Sequence, residues 1–131
     1  LLGMQTTRII LTIVIGGLWL SRAGAQTCSA PFNPTVGDIV TPGQASVSWR
    51  DDGNPSTIRD VRWRIVNTPG WTTATTTERN YLLPNLTPDA LYEWQVRRGC
   101  PGGGFSDWTA LTPATTFRVL ACAPPIDVAV N

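Results

Sequence analysis

Histidine and lysine are both missing from the 131 residues. The first absence removes imidazole bases, histidine metal ligands and every Ser-His-Asp or Cys-His device. The second removes the lysine of a phosphate-binding loop and any Schiff-base amine. Charge is sparse as well, 15% of residues, with ten Arg set against nine Asp and Glu. So even a balance excludes the basic field that holds nucleic acid. The longest apolar run falls short of the roughly 20 residues of a membrane span. The length suits one ordinary domain and is too short for two full ones.

That apolar run lies near the start, where Ile9 to Leu20 reads IILTIVIGGLWL. Arg8 precedes it, and Arg22 and Ala23-Gly24-Ala25 follow. A basic start, a short apolar centre and small residues at the end are the plan of a secretory signal peptide. We therefore read residues 1–25 as a signal peptide, with Met4 as the start and cleavage after Ala25. A membrane anchor is the rival reading of the same run. Cleavage leaves residues 26–131, with eight Arg against nine acidic residues. Export places the chain in an oxidising compartment, where cysteines pair. The expected location is secreted or cell surface, without stable membrane insertion once the signal is removed.

Beyond the leader the chain reads as short strands. Pro31, Pro34, Pro42-Gly43, Asp51-Asp52-Gly53-Asn54-Pro55, Pro69-Gly70, Pro84-Asn85, Pro88-Asp89, Gly99 to Gly104 and Pro113 mark turns. Between them, apolar and polar residues alternate. Ala45, Val47 and Trp49 share one face, as do Val61, Trp63 and Ile65, and Tyr92, Trp94 and Val96. Arg62, Arg64, Glu93, Gln95 and Arg97 point the other way. A Thr-rich strand near an edge is expected within 70–77, with others at 81–83 and 115–119 and a first strand within 36–40. No stretch keeps a long 3.6-residue apolar period, so no substantial helix is expected here. About seven strands in two packed antiparallel sheets make an all-β sandwich.

Trp49 in the second strand, the Leu86-Thr87-Pro88 turn, and Tyr92, Trp94 and Val96 in the sixth strand carry a more specific signal. With these residues, the stretch from Cys28 to Val119 resembles a fibronectin type III domain, an immunoglobulin-like seven-stranded sandwich. The spacing from Leu86 to Tyr92 resembles that family's tyrosine corner, in which the Tyr hydroxyl bonds to backbone of the preceding crossover. Ser106-Asp107-Trp108 resembles the segment often found before the last strand. The resemblance implies a domain over residues 26–121, with Trp49, Trp63, Leu86, Tyr92, Trp94 and Val96 in its core.

Cys28-Ser29-Ala30-Pro31 has an echo at Cys122-Ala123-Pro124-Pro125, 94 residues on. Residues 122–131 are accordingly read as a linker or the truncated start of a second, similar module. The arrangement resembles tandem modules of secreted and surface multidomain bacterial proteins. The resembled topology brings the chain entry and the end of the sixth strand to one pole, which implies a Cys28–Cys100 disulfide and leaves Cys122 for the next module. Pairing of Cys100 with Cys122 is the alternative.

No catalytic residue and no metal site stand out. The carboxylates are scattered, and no pair is placed to flank a sugar. Asp51-Asp52-Gly53-Asn54 lacks the spaced ligands of a calcium loop. No cofactor is expected. The candidate binding face is Arg62, Arg64 and Arg97 on the solvent side of neighbouring strands, with Arg98 at the strand end, joined by Trp71 and Trp108. Exposed Trp can stack on sugars or anchor a protein, whereas the structural alternative has each Trp capping an edge of the core. The expected function is a non-catalytic extracellular module for adhesion, protein interaction or domain spacing in a multidomain chain. The alternative is a carbohydrate-binding accessory module of a polysaccharide-active enzyme. Candidate partners are therefore a protein or a surface polysaccharide, alongside neighbouring domains.

Overall fold

The structure, a computed structural model, describes residues 28–39 and 41–121. The leader at 1–25, Val40, Cys122 and the module start read at 122–131 lie outside the described residues.

Among the described residues, seven antiparallel strands form two sheets. β1 (Phe32–Val36), β2 (Ala45–Arg50) and β5 (Asn80–Leu83) make the first, in the order β1-β2-β5. β3 (Arg59–Ile65), β4 (Thr72–Thr76), β6 (Leu91–Arg98) and β7 (Thr116–Arg118) make the second, in the order β4-β3-β6-β7. The all-β sandwich expected from the alternation is present, and the alternation explains it. Ala45, Val47 and Trp49 of β2 are buried, as are Val61 and Trp63 of β3 and Tyr92, Trp94 and Val96 of β6. A period of two delivers these side chains to the space between the sheets.

Trp49 from one sheet meets Trp94 from the other, with ring centroids 6.2 Å apart and planes tilted by 48°. Trp63 and Tyr81 make a second inter-sheet contact at 5.9 Å. Such aromatic contacts join the sheets by burying large apolar area with a preferred geometry. At one end of the core, the Tyr92 hydroxyl accepts a hydrogen bond from the Thr87 N–H at 3.0 Å, while Leu86 is buried beneath the crossover. Asn85 and Asp89, on either side of this turn, take positive φ of 53° and 61°, a conformation that Asn and Asp tolerate better than other non-glycine residues.

Two strands differ from expectation. The first runs over Phe32–Val36 rather than within 36–40. Its Pro34 reads as a turn signal in sequence, but β1 is an edge strand, where a missing N–H is tolerated. A register shift between Phe32 and Thr35, with Asn33 at φ 51°, absorbs the irregularity. The last strand is only three residues long, because Thr112 to Thr115 instead forms a capped 3-10 turn with Pro113 in its first turn.

Candidate functional site

β3 and β6 lie side by side over seven paired residues. Asp60 faces Arg97, Arg62 faces Gln95, and Arg64 faces Glu93. These six side chains stand on the outer surface of the four-stranded sheet, and each row closes on itself. Arg97 Nε and Nη2 donate to Asp60 Oδ2 at 3.0 and 2.9 Å, while Thr75 of β4 donates to Asp60 Oδ1 at 2.9 Å. Arg64 Nε donates to Glu93 Oε2 at 2.7 Å. Arg62 Nε and Nη2 both donate to Gln95 Oε1, at 3.0 and 2.7 Å.

Three aromatic rings interleave with the guanidinium groups. The Arg64 guanidinium carbon lies 4.0 Å from the Trp71 ring centroid, and that of Arg62 lies 4.3 Å from the same ring. Arg62 is also 4.0 Å from the Trp108 ring, and Arg97 is 4.5 Å from it. Arg97 reaches Phe105 as well, at 4.1 Å. The order along the face is Arg64, Trp71, Arg62, Trp108, Arg97, Phe105. Alternate residues of a strand are about 7 Å apart, close to twice the thickness of a flat group. An indole therefore fills the gap between Arg62 and Arg64 and meets a guanidinium on each side. Each such contact is worth about 0.5–1 kcal/mol at an exposed site and more when desolvated.

Different segments deliver the rings. Trp71 enters just before β4. Phe105 and Trp108 come from the stretch after β6, which folds back along its own strand. There Ser106 N–H donates to the Arg98 carbonyl at 2.9 Å, and Thr109 N–H donates to the Val96 carbonyl at 3.0 Å. In return, Arg98 N–H donates to Ser106 Oγ and Val96 N–H to Thr109 Oγ1, both at 3.1 Å. Side-chain hydroxyls thus replace two carbonyls of an ordinary ladder, leaving the rings free to project over the sheet. Ser106 and Trp108 belong to the segment singled out in sequence, whereas Thr109, which closes the second hydroxyl bond, does not.

Arg62 is the centre of this array and differs electrostatically from its neighbours. Arg64 and Arg97 each face a carboxylate, whereas Arg62 faces the neutral Gln95. Burial under the two indoles pushes its pKa below the ordinary value, and the charges of Arg64 and Arg97 push it further. Arginine nevertheless stays charged at any physiological pH. The outer face therefore carries three cations against two carboxylates, with the excess charge at its middle.

Arg98, expected at the end of the basic row, is not part of it. Consecutive strand residues point to opposite faces, so Arg98 turns inward, is buried, and donates from Nε to the Ser29 carbonyl at 2.9 Å. Nearby, Cys28 and Cys100 form a disulfide across 72 residues with their Cα atoms 5.5 Å apart. Trp71 and Trp108 are half-buried by the guanidinium groups on the outer face rather than capping the core. Leu86 and the remaining core candidates, Trp49, Trp63, Tyr92, Trp94 and Val96, are all buried between the sheets.

The Asp51-Asp52-Gly53-Asn54 loop hides a site that sequence reading missed. Asp51 is shielded from solvent and accepts from Arg59 Nε and Nη2, both at 2.7 Å. It also accepts from Arg79 Nε at 3.1 Å, from Trp49 Nε1 at 3.1 Å, and from the Gly53 N–H at 3.0 Å. Burial alone raises its pKa, but the donors from Arg59, Gly53 and Arg79 outweigh it and hold the carboxyl well below the usual range. Its oxygens are thus committed to internal donors. Among the described residues no helix is long and apolar enough to cross a membrane.

Comparison with known proteins places this geometry in a family. The family model described as "Fibronectin type III domain" matches residues 29–115. Human neogenin is 32% identical over 113 residues, covering 76% of this chain, and rat neogenin is 31% identical over the same length. The chain spans 8% of the length of each of these relatives. Among solved structures, the fn3 domain of human collagen alpha-1(XX) chain superposes with a TM-score of 0.61 at 17% identity, covering 77% of this chain and 93% of that one. The fn3 domain of human contactin 1 gives 0.59 at 18% identity, covering 75% and 82%. These relatives are animal proteins, and none supports the bacterial setting suggested by the module boundary. The sandwich, its buried Trp49–Trp94 contact, the corner at Tyr92 and the match over residues 29–115 together make this chain a member of the fibronectin type III family.

Proposed function

We propose that this chain is a non-catalytic, extracellular protein-interaction module of a longer, multidomain protein, and that its outer Arg–Trp face binds an acidic protein surface. The observation that carries this reading is the uncompensated Arg62 at the centre of a face already fixed by ring and guanidinium contacts. A preordered face loses little side-chain freedom on binding, so more of each contact survives as affinity. Residues 1–25 serve as the export signal, residues 26–121 as the module, and residues 122–131 as the lead into a neighbouring unit. A secreted or cell-surface location agrees with the Cys28–Cys100 bond.

The absence of His and Lys from the sequence supports the non-catalytic part of the reading. So does the engagement of Asp51, Asp60 and Glu93 in ion pairs. The carbohydrate-binding alternative fares worse. A sugar stacks on a free ring face, and the indoles of Trp71 and Trp108 each meet two guanidinium groups.

Immobilised protein tests this with three probes: a poly-glutamate peptide, heparin and neutral dextran. Poly-glutamate is expected to be retained and released by salt, with retention lost in Arg62→Gln while the melting curve still shows a folded domain. Retention of heparin alone would move the partner to an acidic polysaccharide. Retention of none of the probes would leave the module as a spacer.

A further inference from the structure

β4 is an edge strand with one neighbour, β3, and its other side carries no strand among the described residues. The four edges of this sandwich are not alike. β1 contains Pro34 and an irregular register. β5 has four residues and is bracketed by Glu78-Arg79 and Pro84. β7 has three residues and ends on Arg118. Proline, charge, irregularity and shortness are the devices by which proteins keep edges from pairing. β4, by contrast, reads Thr72-Thr73-Ala74-Thr75-Thr76, with no charge, no proline and no register shift against β3.

The same five residues are a palindrome about Ala74. We infer that β4 is a self-pairing surface, and that two copies of this chain join through it antiparallel, about a two-fold axis at Ala74, into one continuous eight-stranded sheet. This inference concerns a different surface from the Arg–Trp face and does not depend on it. A two-fold interface requires the same patch to complement itself, and a palindromic strand does so residue by residue. Ala74 falls opposite Ala74, Thr73 opposite Thr75, and Thr72 opposite Thr76. β-Branched residues favour a pleated surface, and facing Thr pairs contribute to strand pairing.

The flanking charges agree with this register. Glu78, the first charge beyond β4, falls opposite Gly70 of the second copy, so no like charges meet at the seam. On the outer surface, Thr73 shares its row with Arg62, and Thr75 shares its row with Asp60. Pairing Thr73 with Thr75 therefore puts the Arg62 row of one copy in line with the Asp60 row of the other. Thr72, Thr73 and Thr75 are exposed in the single chain, so the edge is accessible without unfolding.

Sedimentation of the disulfide-bonded protein, with Cys122 alkylated to prevent intermolecular bonds, provides the test. The unsubstituted protein is expected to pass from one-chain to two-chain mass as concentration rises. The double variant Thr73→Lys/Thr75→Lys sets Lys against Lys twice and should weaken association about tenfold or more, with a melting curve that still shows a folded domain although the Thr75–Asp60 bond is lost. Mixing Thr73→Glu protein with Thr75→Lys protein should give more heterodimer than random pairing, because only the Ala74-centred register brings those two positions together. A one-chain mass at every concentration would overturn the inference. A dimer indifferent to the double lysine variant would overturn the surface, and random pairing in the mixture would overturn the register.

Discussion

Asp51 and Arg59 form a two-pronged ion pair with both side chains shut from solvent, and the pair ties the end of β2 to the start of β3. Arg79, just before β5, closes the cluster from outside with 44% of its side chain exposed. The cluster therefore spans both sheets at one pole of the sandwich. Removing one partner of a buried pair leaves the other charged and desolvated, which typically costs about 3–5 kcal/mol.

The pH dependence follows from Asp51. Its pKa in the folded chain lies below the ordinary value of 3.8, so the folded state binds this proton less readily than the unfolded state. Its contribution is fully present above the unfolded value and is lost as pH falls from about 5 toward the lowered folded value. Stability measured by denaturant titration should drop steeply over that acid range. Asp51→Asn should be less stable at neutral pH, by about 3–5 kcal/mol, and should show a flatter acid limb. A variant with the same acid limb as the parent would assign the acid loss to other carboxylates.

Arg62 and Trp108 supply a second prediction. If the ring and the guanidinium stabilise one another at 4.0 Å, then Arg62→Met and Trp108→Leu should not be additive. Their coupling in a double-mutant cycle should be about 0.5–2 kcal/mol. Arg118, exposed on β7, provides the comparison: Arg118→Met combined with Trp108→Leu should add within about 0.5 kcal/mol.

The third concerns the chain entry. The Cys28–Cys100 bond closes 72 residues, and the chain-entropy account assigns such a loop about 4 kcal/mol. The Ser29 hydroxyl holds the same segment independently, accepting from Arg98 Nη2 at 3.3 Å and donating to Asp52 Oδ2 at 3.0 Å. Reduction should thus lower the melting temperature while leaving a cooperative transition. Ser29→Ala in the reduced protein should lower it further, by an amount too small to resolve while the disulfide is intact.

How much of this was legible in the sequence depends on how far each signal reaches along the chain. The alternation in Ala45 to Arg50, Val61 to Ile65 and Tyr92 to Arg97 is local, and a period of two is enough to assign inward and outward sides. For that reason the core and the outward set of Arg62, Arg64 and Arg97 could be read directly. Arg98 shows the same rule applied too loosely, since it follows Arg97 and must turn inward. The first strand is expected within 36–40 because Pro34 is a turn signal in isolation, yet it runs over Phe32–Val36, since proline is an admissible residue on an edge.

Sequence alone determined the two-sheet architecture and the outward row of arginines, because each rests on spacing within a few neighbouring residues; the tyrosine corner came from the resemblance to the family. Tertiary structure decided which ring stands between which arginines, and that Asp51 disappears into a pole with Arg59 and Arg79. Trp108 reaches Arg62 only because Ser106 and Thr109 bind the returning chain to the backbone of β6. Arg79 reaches Asp51 from 28 residues away. Contacts of that kind are set by how strands cross and loops return, a geometry that no local period encodes.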